Sequence, residues 1–528
     1  MTENSENTHV ESETPRILPP SPDKLVDRKE QLAKFTDVLD RISRQGPVSS
    51  NLYEWYGSPG IGKSMLVKIL AERANEKHAA WAVVDFKQSE KKTDTYLYDP
   101  IMLIEDIVSK LILQANLDIS EYDKALLGYR KFALPVEGVV SVYAAMNQET
   151  RLYRRPEWLT ELRNVVIAFI KLINALPTQV KADGIRPVVL FFDETEHADI
   201  ELVDWIEEWI INPLIQIKHC VVVWTARRPW RWKRPEIRRR LTSEMLKVFE
   251  EEEVQDQIQS GSAKPDLVTE LFKNVHTLTG GHPFANFIVI NELDTLFKQG
   301  ERVTPENFHD FESKLLEEVF DRFVTQYAFS ELESNDLRIA CKYISLVRLF
   351  DSTMLRKILQ TCAGDLFGSW SQDDFGDLLL KLKKTQLLVW EKGYAIDPGI
   401  RHIVQKYFMV LDRTKFISAN RAALQIYEDW LGRPVDNRSL FVLEELYHHA
   451  ALMQVGEPAD LHALLAKRLK EYPNWIRDEQ ALDNALERLE GEISNDKELE
   501  QFILSKAELV KQVQELQDKR QSHILRRK

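Results

Sequence analysis

Gly57-Ser58-Pro59-Gly60-Ile61-Gly62-Lys63-Ser64 is the stretch that decides the fold. It fills every fixed position of the pattern G-x-x-x-x-G-K-[ST], and its flanks carry the right periodicities. Asn51 to Tyr56 (NLYEWY) reads as a strand, and Met65 to Asn75 (MLVKILAERAN) reads as an amphipathic helix. A strand, a Gly-rich loop and a helix in that order make an anion cradle, because the loop N–H groups and the helix N-terminus point at one place. Gly57, Ser58, Pro59, Gly60, Ile61 and Gly62, with Met65 behind them, are expected to form that cradle. Lys63 is expected to reach β- and γ-phosphates, and the Ser64 hydroxyl to ligate Mg²⁺. Glycine is needed where the backbone must approach phosphate without a Cβ in the way.

A second element is expected to support the metal. Pro187 to Phe192 (PVVLFF) is a short apolar run, the mark of a strand buried on both faces of a parallel sheet, and it ends in Asp193-Glu194. A carboxylate at the C-terminal end of such a strand faces the place where open α/β sheets bind ligands. Asp193 is expected to hold Mg²⁺ through water, and Glu194 to orient or deprotonate an attacking water. Together the two elements point to ATP binding and to hydrolysis, with a turnover rate that the sequence does not encode legibly.

The chain has 528 residues, room for about three or four domains. Hydrophobic content of 44% and charged content of 29% are those of a globular, water-soluble chain. A net charge of −13 argues against a general nucleic-acid coat and against an anionic membrane surface. Cys220, Cys341 and Cys362 stand far apart without metal-ligand spacing, which suits a reducing compartment. No apolar run approaches the roughly 20 residues of a membrane span, and no signal-peptide pattern opens the chain. A cytoplasmic protein is the expectation.

Along the chain, residues 1–23 are acidic, polar and Pro-rich, a composition that does not order itself. A helix follows within 24–42, with Leu32, Phe35, Val38, Leu39 and Ile42 at helical spacing. After the phosphate loop come a strand at 80–86, helical stretches at 98–132 and 156–177, the Asp193-Glu194 strand, a helix at 200–217 and a buried strand at 220–225. Strands alternating with helices give a doubly wound α/β domain. Beyond about 262 the strands stop. Residues 265–297 read as helical, broken at Gly280-Gly281-His282-Pro283. Residues 331–410 show helix, helix, helix, strand, strand, helix, with the third helix near 372–384 and a hairpin of 387–390 with 394–396. From Arg413 onward only helices are read. Leu499, Phe502, Leu509, Val513 and Leu516 fall on a 3-4 spacing interrupted by Lys506, fewer than four heptads, which leaves a coiled coil open.

In this order of motifs the chain resembles the STAND class of P-loop ATPases, the AAA-related signal-transduction ATPases with numerous domains. The resemblance covers about residues 24–410. It implies an α/β P-loop NTPase domain with a parallel sheet (24–262), a helical lid (263–330), a winged-helix domain (331–412) and an all-α C-terminal region (413–528) that senses or docks a partner. Leu25-Val26-Asp27-Arg28-Lys29-Glu30 is similar to the family's adenine-side segment and would put Val26 and Arg28 beside the nucleotide, although the family usually has Gly where Asp27 stands. Thr225-Ala226-Arg227-Arg228 occupies the place of an Arg that senses γ-phosphate, with Arg227 and Arg228 both eligible. Gly281-His282-Pro283 is similar to a G-x-P motif whose Pro packs on adenine; His282 reads as a spacer. After the hairpin the family usually has a His-Asp pair that senses ADP. Here Ile396-Asp397 stands there, and Asp397-Pro398 also reads as a helix N-cap.

Arg227 to Arg240 (RRPWRWKRPEIRRR) stands out in an acidic chain. It reads as an internal set paired with acids such as Glu250 to Glu253, as an arginine finger offered to a neighbouring subunit's ATP, or as an Arg/Trp platform for single-stranded nucleic acid. The leading functional reading is a nucleotide-driven switch: a slow or partner-regulated ATPase using ATP and Mg²⁺, self-associating in the ATP state and answering to a protein trigger. The alternative is a DNA-handling AAA-type ATPase resembling origin-recognition proteins. Its recognition helix would be Ser371 to Lys384, whose first turn carries Asp373 and Asp374, two acids that oppose phosphate.

Overall fold

The computed structural model describes residues 28–87, 100–114, 117–131, 156–176, 186–330, 332–390, 392–433, 435, 437–476, 478–500, 502–503 and 506–527. The expected tail at 1–23 and Val26 lie outside these residues.

Strands β1 (Leu52–Tyr56), β2 (Ala80–Asp85), β3 (Val188–Asp193), β4 (Cys220–Ala226) and β5 (Leu241–Met245) form one parallel sheet in the order β2-β3-β4-β1-β5. Alternate residues of β1 to β4 face opposite sides of the sheet, as a pleat of period two requires. Val189, Phe191, Val221, Val223, Tyr53 and Trp55 face α1 (Lys29–Ser43) and α2 (Lys63–Glu76). Val188, Leu190, Phe192, Val222 and Trp224 face the helices Ile101–Ile112, Ser120–Arg130 and Pro156–Ala175. Burial on both faces is why β3 and β4 are continuously apolar. This is the P-loop NTPase arrangement, with β1 between β4 and β5.

Three local features differ from the sequence reading. β5 (LTSEM) has neither an apolar run nor clean alternation, because it is a half-exposed edge strand held by its ladder to β1. The stretch expected as helix over 98–132 is two helices, with Asp118 Oδ1 accepting from Ser120 N at 3.0 Å where the second begins. The helix expected over 200–217 starts as Ile200–Ile206, widens into a π-helical turn at Glu207–Ile211 and ends at Asn212–Leu214. The wide turn sets Glu207 inward, where it accepts from Lys233 N at 2.7 Å and Arg234 N at 3.0 Å.

Beyond the sheet, one hydrophobic cluster runs from Phe249 to Val455. It includes Val254 and Ile258, so the Glu251–Gly261 helix sits with the lid helices rather than with the sheet. Helices Asn335–Ile344, Ser352–Cys362 and Gln372–Lys384 lead to the antiparallel hairpin β6 (Leu388–Trp390) and β7 (Tyr394–Ile396), then to the helix Pro398–Leu411. Phe350 bridges to Tyr394 at the hairpin's edge. From Arg413 on, helices are the regular elements among the described residues, and Leu499, Leu509 and Val513 are buried in a second cluster with Leu486, Leu489 and Ile493. The 3-4 spacing near the C-terminus thus serves packing within the bundle.

A buried charge cluster joins the hairpin segment to that bundle. Arg348 donates to Glu444 from Nε at 2.9 Å and Nη2 at 2.6 Å, reaches Asp496 through Nη1, and lies 4.3 Å from the centre of the Tyr447 ring. Arg401 donates to Arg348 O at 3.1 Å and pairs with Glu498. Breaking a buried pair strands a charge, whereas replacing both partners with apolar groups does not. Arg348→Met is therefore expected to lower stability by about 3 kcal/mol in urea denaturation, and Arg348→Met with Glu444→Leu to lower it less. A double variant weaker than the single one contradicts this account.

Candidate functional site

The loop between β1 and α2 starts where β4 ends: Gly57 N donates to Ala226 O at 3.2 Å. Gly60 and Gly62 have φ of +76° and +100°, a region that favours glycine. A Cβ at Gly60 would stand 2.9 Å from Phe284 Cβ, so this position must also be small. Gly62 caps α2 and Lys63 opens it. The Lys63 ammonium is buried and folds back on its own loop, donating to Gly57 O at 2.9 Å and Ser58 O at 3.3 Å. Burial lowers its pKa, and the Glu196 carboxylate opposes that shift.

The expected acids meet the loop at the C-terminal end of the interior strand β3. The Asp193 carboxylate accepts from the Thr225 hydroxyl at the end of β4. Burial pushes the Asp193 pKa up to about 6, and the Thr225 and Ser64 hydroxyls hold it back. Glu194 has φ of +53°, and its N–H donates to Asp193 Oδ1 at 3.0 Å and Thr225 Oγ1 at 3.2 Å. Its Oε1 stands 3.4 Å from the Ser64 hydroxyl, and burial raises its pKa against the pull of Lys87. A groove of about 840 Å³ opens from Ser64, Asp193 and Glu194, passing Lys68, Asp85 and Lys87. Among the described residues no group of three or more His, Cys, Asp or Glu side chains gathers as a metal site.

The two candidate arginines part company. Arg227 Nε lies 3.1 Å from Glu196 Oε1, facing Lys63. Arg228 turns toward the hairpin segment, donating to Thr385 O at 3.4 Å; burial lowers its pKa and Asp397 opposes. Glu196 is a site residue that motif reading missed. The short turn Thr195–His197 returns the side chain over the strand ends, and the available signal was a second acid two residues after Glu194.

Three downstream segments touch the phosphate loop. Asp397 caps the Pro398–Leu411 helix, accepting at Oδ1 from Gly399 N at 3.0 Å, as the sequence implied. Its Oδ2 also accepts from the Ser58 hydroxyl at 2.7 Å. His282 is more than a spacer: it is buried, stacks on Phe323 at 4.4 Å between ring centres, and reaches Pro59 O through Nε2 at 3.0 Å. Gly281 is required because its Cβ would fall 1.9 Å from Phe249 O. Pro283 opens the helix Pro283–Gln299, buried, with its carbonyl accepting from Gln257 at 2.8 Å. Arg28 donates to Ile61 O at 2.9 Å and Lys247 O at 3.0 Å and lies over the Phe249 ring. It thus braces the loop from behind.

The basic stretch is largely an internal set, but with other partners than Glu250 to Glu253, of which Glu250 and Glu253 form a capping box. Trp232 is buried against Trp224 and donates to Glu54 at 3.2 Å; Trp230 N donates to the same carboxylate at 2.8 Å. Lys233 pairs with Asp204 and Arg234 with Glu208. With Trp232 buried and Trp230 half-buried, the stacking platform expected for single-stranded nucleic acid is not presented. Arg231, Arg238 and Arg239 remain exposed.

His282 gives the site a pH dependence. Burial pushes its pKa down to about 3, with the bond to Pro59 working the other way. Between an unfolded value of 6.5 and about 3 the unfolded chain binds a proton that the folded one refuses. Its share of stability is therefore intact above pH 6.5 and is lost on acidification through that window. His282→Gln, which keeps a donor to Pro59 O, is expected to reduce the acid loss by up to about 1.4 kcal/mol per pH unit. Urea denaturation of both proteins at about pH 7 and about pH 5 checks this, and equal acid sensitivity contradicts it.

Residues 24–208 match the family model of the AAA ATPase domain. No curated protein matches the sequence. Among solved structures, the chain is similar to a Walker-type ATPase of Pyrococcus abyssi, at 15% identity over 72% of this chain and 96% of that one, with a TM-score of 0.41. It is similar to the Aeropyrum pernix ORC2 protein at 13% identity over 76% and 97%, with a TM-score of 0.39. It is also similar to the Thermotoga maritima RuvB Holliday junction branch migration motor at 14% identity over 72% and 95%, with a TM-score of 0.33.

Proposed function

We propose that this chain is an ATP-binding and ATP-hydrolysing switch of the STAND type, coupling nucleotide state to self-association and to a protein partner. The observation that carries the reading is that the phosphate loop is held by residues far downstream, Ser58 by Asp397 and Pro59 by His282. A ligand seated in the loop must act on those contacts, and differential affinity for two arrangements is what a switch requires.

The residue roles follow from position. The loop N–H groups and Lys63 bind the triphosphate, with Lys63 giving up Gly57 O and Ser58 O to do so. The Ser64 hydroxyl in the first turn of α2 and the Asp193 carboxylate at the end of β3 lie together and would fit Mg²⁺, which in such sites takes one or two side-chain ligands beside phosphate oxygens and waters. When bound, the ion neutralises charge on the β- and γ-phosphates. Glu194 is the group that orients or deprotonates water, and its raised pKa favours proton acceptance. Of the two arginines, Arg227, paired with Glu196 beside Lys63, is the one we assign to the γ-phosphate, since Arg228 turns to the hairpin segment.

We read 24–262 as the ATPase core, 263–330 as lid, 331–412 as winged helix and 413–528 as sensor or docking arm. The cluster beginning at Phe249 favours moving the core–lid boundary upstream of the Glu251–Gly261 helix. The hairpin with its Phe350 bridge, following three helices, supports the winged-helix reading. Exposed Arg231, Arg238 and Arg239 suit contact with a second copy. One observation favours the alternative, DNA handling: Trp390 at the hairpin is 65% exposed, near the basic end of the Gln372–Lys384 helix. Against it, Asp374 at that helix's start is committed to a capping box with Ser371.

Light scattering and phosphate release on wild type, Lys63→Ala and Glu194→Gln test the switch. Assembly is expected with ATP–Mg²⁺, strongest in Glu194→Gln, with turnover there reduced by about 100-fold or more, and absent in Lys63→Ala. A monomer in every nucleotide state contradicts self-association, and binding of duplex DNA by that monomer favours the alternative.

A further inference from the structure

Glu196 has no part in the hydrolytic scheme, yet it lies against the two cations that scheme depends on. Its side chain is 4% exposed, with Oε1 at 3.1 Å from Arg227 Nε and 3.9 Å from Lys63 Nζ. Its other oxygen, Oε2, is buried and has no hydrogen-bond partner. A buried carboxylate with an unsatisfied oxygen is unfavourable unless strong charges hold it. Here the holding charges are a loop lysine and a strand-end arginine, both buried.

Those two cations are also the groups that a γ-phosphate needs. A phosphate oxygen reaching Lys63 and Arg227 together must enter the space where Glu196 Oε1 now stands, and two anions there repel. We propose that Glu196 is an internal stand-in for the γ-phosphate: it neutralises Lys63 and Arg227 in the absence of triphosphate, and a nucleoside triphosphate must displace it. The proposal rests on the reading that the Gly57–Ser64 loop binds nucleotide. ADP can reach Lys63 through its β-phosphate but lacks the γ-phosphate that competes for Arg227, so ADP leaves the Glu196–Arg227 pair in place. The carboxylate therefore opposes ATP selectively and sets how much triphosphate is needed to turn the switch, since a ligand shifts an equilibrium only by its difference in affinity for the two states. A turn after a strand positions the acid, so the device needs no second chain.

The merely structural alternative is that Glu196 orients Arg227 for the nucleotide. The two accounts predict opposite signs. Calorimetry on the full chain with a non-hydrolysable ATP analogue and with ADP, each with Mg²⁺, separates them. Glu196→Gln is expected to tighten the triphosphate by about tenfold, within the usual range of coupling between sites, and to leave ADP within about twofold. Glu196→Asp keeps the charge but retracts it by one methylene, and is expected to give a smaller gain of the same sign should the glutamine variant fail to fold. Adding Arg227→Ala to Glu196→Gln is expected to erase most of the gain. Weaker triphosphate binding in Glu196→Gln, or an equal shift for both nucleotides, overturns the proposal while leaving the nucleotide reading intact. Wild type binding neither nucleotide overturns that reading itself, and this proposal with it.

Discussion

The 2.7 Å bond between the Ser58 hydroxyl and the Asp397 carboxylate ties the phosphate loop to the start of the Pro398–Leu411 helix. Its two ends lie 339 residues apart in sequence. Asp397 uses one oxygen for the phosphate loop and the other to cap the Pro398–Leu411 helix, so loop and helix start share one side chain. One turn along that helix Arg401 joins the Arg348 loop and Glu498, and Arg348 in turn holds Glu444 and Asp496. A continuous run of polar contacts thus leads from the nucleotide loop to the C-terminal bundle. Its later members are largely buried ion pairs, so removing one partner leaves a buried charge uncompensated. Such a path is a physical connection between the sheet domain and the bundle.

Charge distribution explains how the strand ends hold so many ionisable groups together. The strand ends gather Asp193, Glu194 and Glu196 beside Lys63 and Arg227, all largely withdrawn from water. In that setting each charge needs an opposite one, and Lys63 satisfies its donors with the carbonyls of its own loop. His282 contributes as a neutral donor held neutral by burial, stacked on Phe323 and closing over Gly60. In the proposed switch, a polyanion entering the loop competes with Glu196 for Lys63 and Arg227.

Much of the core was legible because its signals are local. The phosphate loop, the β3 run ending in Asp193-Glu194 and the β4 run before Arg227 each declare a backbone shape within a few residues. β5 was not legible, because an edge strand paired on one side needs no apolar alternation. Asp397 could be read as a helix cap but not as a partner of Ser58, since nothing local encodes contact across 339 residues. His282 was seen only as part of a helix break, although burial beside Phe323 and Pro59 gives it its role. The basic stretch was legible as an internal set but its partners were not: its backbone N–H groups and indoles are taken up by Glu54 and Glu207, acids that a strand and a π-helical turn bring inward.

The central claim is that filling the phosphate loop changes how the downstream helices sit on the sheet domain. The native cysteines are buried, so dyes placed at exposed positions such as Lys124 and Lys470, after substitution by cysteine, report the distance between the two parts. The account predicts that single-molecule energy transfer shifts to a new distance with a non-hydrolysable ATP analogue and Mg²⁺, and that Lys63→Ala abolishes the shift. An unchanged distance in a protein shown to have bound the analogue would contradict it.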